Sequence, residues 1–156
     1  MLLVVPYILA ATLRSDNFGD TYAYRSVFRE APSKIAALPL YLEGIKKDKG
    51  FSVLIVIIKA LIGNSPILFF MFIATVQMLC MAFIYRKYSE NYWMSIFVFV
   101  AGTDYMSWCH NGIRQFLAIA IIMAGFPLLL KRKYIPLIAI ILLGATFHAS
   151  ALLMIP

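Results

Sequence analysis

Apolar residues fill long runs of this chain, and polar residues are confined to the gaps between them. Runs of this kind read as membrane-spanning helices, because a bilayer core takes about 20 helical residues. Residues 67–85 form a clean span that stops at Arg86-Lys87. Residues 92–108 form the next, with Asp104 near its far end. Residues 116–130 return and stop at Lys131-Arg132-Lys133, and a further span starts at Tyr134. Residues 1–13 are apolar but short, and they lack the basic start of a signal peptide. They read as the end of a span. Residues 51–63 are apolar around Lys59. They reach about 20 Å as a helix, which leaves re-entrant, interfacial and tilted spanning forms open. Nothing in the pattern makes Lys59 specific, so arginine is expected to replace it. Asn64-Ser65-Pro66 then breaks the chain.

Residues 14–50 are the longest polar region. Within it, Ile35, Leu38, Leu42 and Ile45 recur at helical spacing between Lys34, Glu43, Lys46 and Lys47. That pattern predicts a helix lying in the membrane interface, bent at Pro39. A solvated loop is the plain alternative. The expected fold class is all-α: a multi-pass transmembrane helix bundle with an interfacial amphipathic segment, in a single integral membrane domain over residues 1–156.

Composition agrees with that class. The 156 residues are 63% hydrophobic and 13% charged, with a mean hydropathy of +0.87. A soluble domain of this size cannot bury so much apolar surface. The net charge of +7 does not indicate nucleic acid, because the basic residues are scattered or gathered in short juxtamembrane clusters. Such clusters set topology. Arg86-Lys87 and Lys131-Arg132-Lys133 flank one hairpin, so both belong on the cytoplasmic side. The hairpin tip at residues 110–115 is then expected outside. So is His148, about 21 Å up the last helix. The side of residues 14–50 stays open, and only an outside placement lets Arg14 and Asp20 join the tip. Cys80 and Cys109 sit in different segments and show neither metal spacing nor a disulfide framework. Cys109, next to the tip, is expected to react with a membrane-impermeant thiol reagent added from outside provided its pocket is open, and Cys80, inside a span, is not.

The tip carries the candidate chemistry, Asn111-Gly112-Ile113-Arg114-Gln115. An arginine at the lip of a bilayer costs about 3 kcal/mol on insertion scales and needs a partner. Asn111 is a good N-cap, which would put Arg114 at the third helical position beside free N–H groups. A guanidinium and a helix N-terminus together suit phosphate. The plain alternative is an arginine that snorkels to the headgroups. Asp104 is the carboxylate expected to pair with Arg114 or Arg14. His148 shares a helical face with Gly144, so a packing role and a base role both stay open. Asp20, after Gly19, reads either as a turn or cap residue or as a site carboxylate. Tyr22, Tyr24 and Trp108 read as interfacial anchors.

Four short motifs occur in order. They are Arg14 with Asp20-Thr21-x-x-Tyr24-x-x-x-Phe28, then Lys49-Gly50-Phe51, then Asn111-x-x-Arg114-Gln115-x-x-Ala118, then Phe147-His148-x-Ser150-Ala151-Leu152. Over nearly the whole chain the set resembles EpsG-like proteins, the Wzy-type polymerases of bacterial exopolysaccharide, capsule and O-antigen. Members of that family are longer, so the chain reads as incomplete at both ends and is expected to be inactive alone. The resemblance implies a multi-pass protein of the bacterial cytoplasmic (inner) membrane with its active site toward the outer face. It implies a reaction in which a growing glycan leaves undecaprenyl diphosphate for a sugar hydroxyl on an incoming lipid-linked unit. The implied partners are the lipid-linked oligosaccharide, the lipid bilayer and other polysaccharide-assembly proteins, with no nucleic acid.

Displacing a lipid diphosphate calls for preorganised cations. Arg114 is the first candidate to bind the diphosphate and Arg14 the second. His148 and Asp20 are the candidate catalytic groups that accept a proton from the acceptor hydroxyl or orient it. Asn111, Gln115 and Tyr24 are the supporting residues. No Asp-x-Asp pair offers itself to a divalent ion, so neither a metal nor another cofactor is expected. A lipid-linked oligosaccharide flippase would also want arginines, but with polar residues through the full depth of its helices. An inactive fragment that associates with a partner is the remaining alternative.

Overall fold

The computed structural model describes residues 2–156. They form ten α-helices: α1 (Val5–Thr12), α2 (Thr21–Glu30), α3 (Leu38–Glu43), α4 (Lys49–Ile62), α5 (Pro66–Tyr88), α6 (Tyr92–Ala101), α7 (Asp104–His110), α8 (Ile113–Ala124), α9 (Phe126–Leu130) and α10 (Tyr134–Phe147). Short 3-10 turns cover Leu2–Val4, Ile35–Ala37 and Ala149–Met154. The described residues contain no strand.

Two helical stretches are long and apolar enough to cross a membrane, α5 and the α8–α9 pair over Ile113–Leu130. Pro66 opens α5, where a missing N–H costs nothing. Arg86 and Lys87 close it, favourably placed at the negative end of the helix dipole. α8 lies along α5, α10 lies along α8, and α1 packs against α5. Gln77, fully buried in the middle of α5, donates Nε2 to Ile113 O at the head of α8, 3.0 Å away. Tyr88 meets Phe126 edge-on at 5.3 Å. α5 and α8 therefore run parallel, and both basic clusters end at the same end of the bundle. Arg114 lies about 18 Å of helix from Phe126, which meets Tyr88 near that end.

The structure departs from the expected spans in three places, the last being α10, whose 14 residues fall short of a full crossing. The span at 92–108 is broken, because Gly102 ends α6 and Thr103 turns with φ 68° before α7 begins. A Cβ on Gly102 would press on Val98 O at 2.8 Å, so that corner needs glycine. The return helix is interrupted at Gly125, where Pro127 lacks the N–H to continue the ladder.

The polar region also differs. Residues 35–45 hold only a 3-10 turn and the short α3, and Pro39 starts α3 rather than bending a longer helix. The amphipathic helix is α2, which buries Phe28 and exposes Tyr22. Phe28 stacks on Phe69 at 4.7 Å, and Phe51 and Phe70 complete an aromatic floor with Ile113 and Leu117. Close packing of these rings across the helices makes the floor a firm base for what lies on it.

Lys59 is not the tolerant position expected. Its Nζ donates to Phe28 O, Arg29 O and Ala31 O at 2.9, 2.7 and 2.6 Å. These are the carbonyls that the end of α2 leaves open. Three acceptors converging on one nitrogen suit an ammonium, and a planar guanidinium does not fit them. Cys109 does not meet the condition of an open pocket. It is fully buried, with Sγ 3.9 Å from Met78 Sδ, which shields it from a bulky reagent.

Candidate functional site

The site is built where α2, α4 and α8 begin. Asp48 precedes α4 in the left-handed conformation, φ 55° and ψ 41°, and its side chain makes no cap hydrogen bond. Its carboxylate instead reaches Arg114, with Nη1 to Oδ2 at 2.9 Å. Arg114 also points Nε at the Tyr24 hydroxyl, 3.4 Å away. Its guanidinium lies 5.8 Å from the Tyr24 ring centre and 6.0 Å from that of Phe51. The arginine is thus drawn onto protein partners rather than outward. Its side chain remains 40% exposed, against 13% for Asp48. The cation is presented and its partner is tucked behind it.

Asn111 does not cap α8. Gly112 holds the N-cap position, Ile113 is the first helical residue and Arg114 the second. Asn111 instead ends α7. Its side chain lies against Gly19, whose φ of 56° and contact with Asn111 Oδ1 leave no room for a Cβ. Asn111 thereby packs the Arg14–Asp20 loop onto the α7–α8 corner. Gln115 is half-buried in the first turn of α8, with no hydrogen bond to Arg114.

Arg114 and Asp20 open onto one cavity of about 540 Å³, together with Tyr24, Tyr41, Lys46 and Lys47. Phe51 gives it an aromatic side. Three cations face two carboxylates there, counting Asp48 behind Arg114. Asp48, Lys46 and Lys47 are site residues that the sequence reading missed. In sequence the two lysines read as part of the polar face of a longer helix. Asp48 stands directly before the Lys49-Gly50-Phe51 motif at a helix start, a position where an aspartate commonly interacts with its surroundings.

Arg14 lies apart from this cavity. It is 7% exposed, donates Nη1 to Cys109 O at 2.7 Å, and stacks over Phe70 at 4.1 Å. Its Nε and Nη2 are buried without a hydrogen-bond partner. Burial is the main cause that pulls its pKa down to about 10, so it stays charged at neutral pH. Asp104 pairs with neither arginine and faces a different cavity beside Tyr85 and Ser95. The expected partner of Arg114 is therefore corrected from Asp104 to Asp48.

His148 lies just past the end of α10, with φ −157°, and does not share a helical face with Gly144. Its Nδ1 accepts from Ser150 N at 3.3 Å and lies 2.7 Å from Ser150 Oγ, capping the Ala149–Met154 turn. It does not line the 540 Å³ cavity. Its neighbours come closer: Phe147 joins the aromatic floor, and Thr146 fills the space where Gly50 lacks a Cβ. Among the described residues no three His, Cys, Asp or Glu side chains converge as a metal site.

No curated protein and no solved structure matches this chain. The EpsG family model matches residues 1–156, all of the chain, and the protein belongs to the EpsG family.

Proposed function

We propose that this protein is a multi-pass polysaccharide polymerase of the bacterial cytoplasmic membrane that draws on undecaprenyl-diphosphate-linked glycans, with its site toward the outer face. Membership of the EpsG family makes it a membrane protein related to polysaccharide biosynthesis. The observation that carries the finer reading is Arg114, held by Asp48 and opening onto a cavity that also holds Lys46, Lys47 and Asp20. In the proposed step the acceptor hydroxyl oxygen attacks the anomeric carbon. The bond from that carbon to the diphosphate oxygen breaks, and its electron pair leaves with the diphosphate. The hydroxyl proton passes to a base. Negative charge grows on the leaving group, where cations already in place stabilise it without reorganisation. Arg114 is the cation best placed to do so, and the two lysines add to the field. Among the described residues Asp20 is the carboxylate in the cavity with no cation engaged, which suits it to orient the acceptor hydroxyl or take its proton. Arg14 supports the site from outside the cavity, and His148 lies outside it.

The test is Arg114→Lys in the complete protein, expressed in cells with no other polymerase. Lysine keeps the charge but gives up the planar fork. Loss of one contact made in the transition state costs about 3 kcal/mol, roughly a hundredfold in rate. Short polymer at normal membrane abundance is expected. Wild-type polymer from Arg114→Lys at wild-type abundance would remove the arginine from the mechanism.

A further inference from the structure

Two cavities are linked by the Asp48–Arg114 ion pair, Arg114 lining one and Asp48 the other. The polar one lies on the Arg114 side. On the other side α4 and α10 enclose a groove of about 510 Å³, within the roughly 300–1,000 Å³ common for ligand pockets. Its walls are Val53, Leu54 and Ile57 from α4 and Leu143, Ala145 and Phe147 from α10. Asp48, Lys49 and Thr146 supply its polar end. There the helices touch, because a Cβ on Gly50 would collide with Thr146. Ile57 and Leu143 stay exposed along it.

We propose that this groove takes the hydrocarbon chain of a prenyl diphosphate whose head group sits at Arg114. The proposal rests on the polymerase reading above. An amphiphilic anion needs a cation and an apolar slot within one molecular length. Here a single residue joins them: Asp48 holds Arg114 at 2.9 Å and also lines the groove. The charges are ordered to match. Arg114, Lys46 and Lys47 face the polar cavity, Lys49 stands at the shared end, and the groove beyond carries no charged wall. A phospholipid offers one phosphate and two chains, which fits a single slot beside several cations less well.

The full-length protein in detergent micelles is irradiated with a farnesyl diphosphate analogue bearing a diazirine on its last isoprene unit, and labelled residues are mapped by mass spectrometry. Label is expected on Val53, Ile57 or Leu143, and excess inorganic pyrophosphate should reduce it. Ala145→Trp, which fills the groove, should cut labelling about tenfold, the ratio that one decade of affinity gives at low probe concentration. Leu61→Trp, on an exposed part of α4 outside the groove, should leave it unchanged. If Ala145→Trp does not fold, the wild-type map and the pyrophosphate competition decide the matter. Label found only outside the α4–α10 groove would overturn the proposal. So would equal groove labelling by a diazirine phosphatidylglycerol with no effect of pyrophosphate. The two readings fail separately. Groove labelling that pyrophosphate competes, with full polymerisation by Arg114→Lys, would leave the groove and sink the arginine mechanism. Loss of polymer in Arg114→Lys without groove labelling would sink the groove alone.

Discussion

If Arg114 takes a diphosphate as proposed, Asp48 occupies the cation that the ligand needs, and removing its charge should tighten diphosphate binding. Asp48→Asn is the cleanest change. It keeps the side-chain shape, and asparagine tolerates the left-handed φ of 55° better than most residues. Three effects set the size. The existing ion pair is a single contact at 2.9 Å on an arginine whose side chain is 40% exposed. Screened pairs of this kind are worth about 0–1 kcal/mol, and that is what the ligand must displace. Repulsion between Asp48 and a bound diphosphate adds about 1–2 kcal/mol at separations near 5 Å in high dielectric. Against these, Asn leaves Arg114 less firmly held. Fixing one flexible side chain on binding costs about 0.5–1.5 kcal/mol. The 3.4 Å approach to Tyr24 and the nearby Phe51 ring keep that cost toward its lower end.

The balance favours tighter binding by about 1 kcal/mol, roughly fivefold. Calorimetric titration of the full-length protein with inorganic pyrophosphate reads it directly. The gain should shrink at high salt, because exposed charges are screened. Asp104→Asn, in a separate cavity, should change nothing and serves as the control. Weaker pyrophosphate binding by Asp48→Asn would show that the carboxylate positions Arg114 more than it blocks it, and would refute the reasoning.

Lys59→Arg and Lys59→Met should both lower the thermal midpoint in detergent, by an amount equivalent to about 2–3 kcal/mol, because charge-assisted bonds to the end of α2 are lost or misplaced. A midpoint for Lys59→Arg equal to wild type would contradict the three-carbonyl geometry. Gly50→Ala should cost about 1–3 kcal/mol through overpacking against Thr146, read by the same melting curve, and an unchanged midpoint would show that α4 and α10 are not pinned there. Cys109 should resist a maleimide in the native protein and react once it is denatured, with rapid native labelling as the contrary result.

The hydrophobic runs located α5 and the α8–α9 pair because a strongly apolar helix shows its length and its basic end in composition alone. The break at Gly102-Thr103 was hidden, since a positive φ at a threonine leaves no mark in hydropathy. Asn111 drew the N-cap assignment by residue type. The chain instead turns one residue later, and Ile113 N donates to Asn111 O. The Asp48–Arg114 pair was harder still. Its members stand 66 residues apart, and they meet only because α2, α4 and α8 begin side by side. Sequence motifs pointed at Arg114, Asp20 and Tyr24, which share the cavity, but offered no way to choose among the carboxylates.

The two arginines show how the fold separates a presented cation from a structural one. Arg14 leaves two buried donors unpaired, each at a cost of about 1–3 kcal/mol. Its stacking on Phe70 offsets up to about 2 kcal/mol of that. What the arrangement secures is position. Through Cys109 O, Arg14 fastens the loop after α1 to α7. The same loop carries Gly19 against Asn111, and the next residue is Asp20 in the cavity. Arg25 reinforces the loop from α2 by its ion pair with Asp16 at 3.0 Å. Arg14 is thus fixed two contacts away from Asp20, while Arg114 is more exposed and held by one carboxylate, which in the proposed reading leaves it the arginine free to change partners.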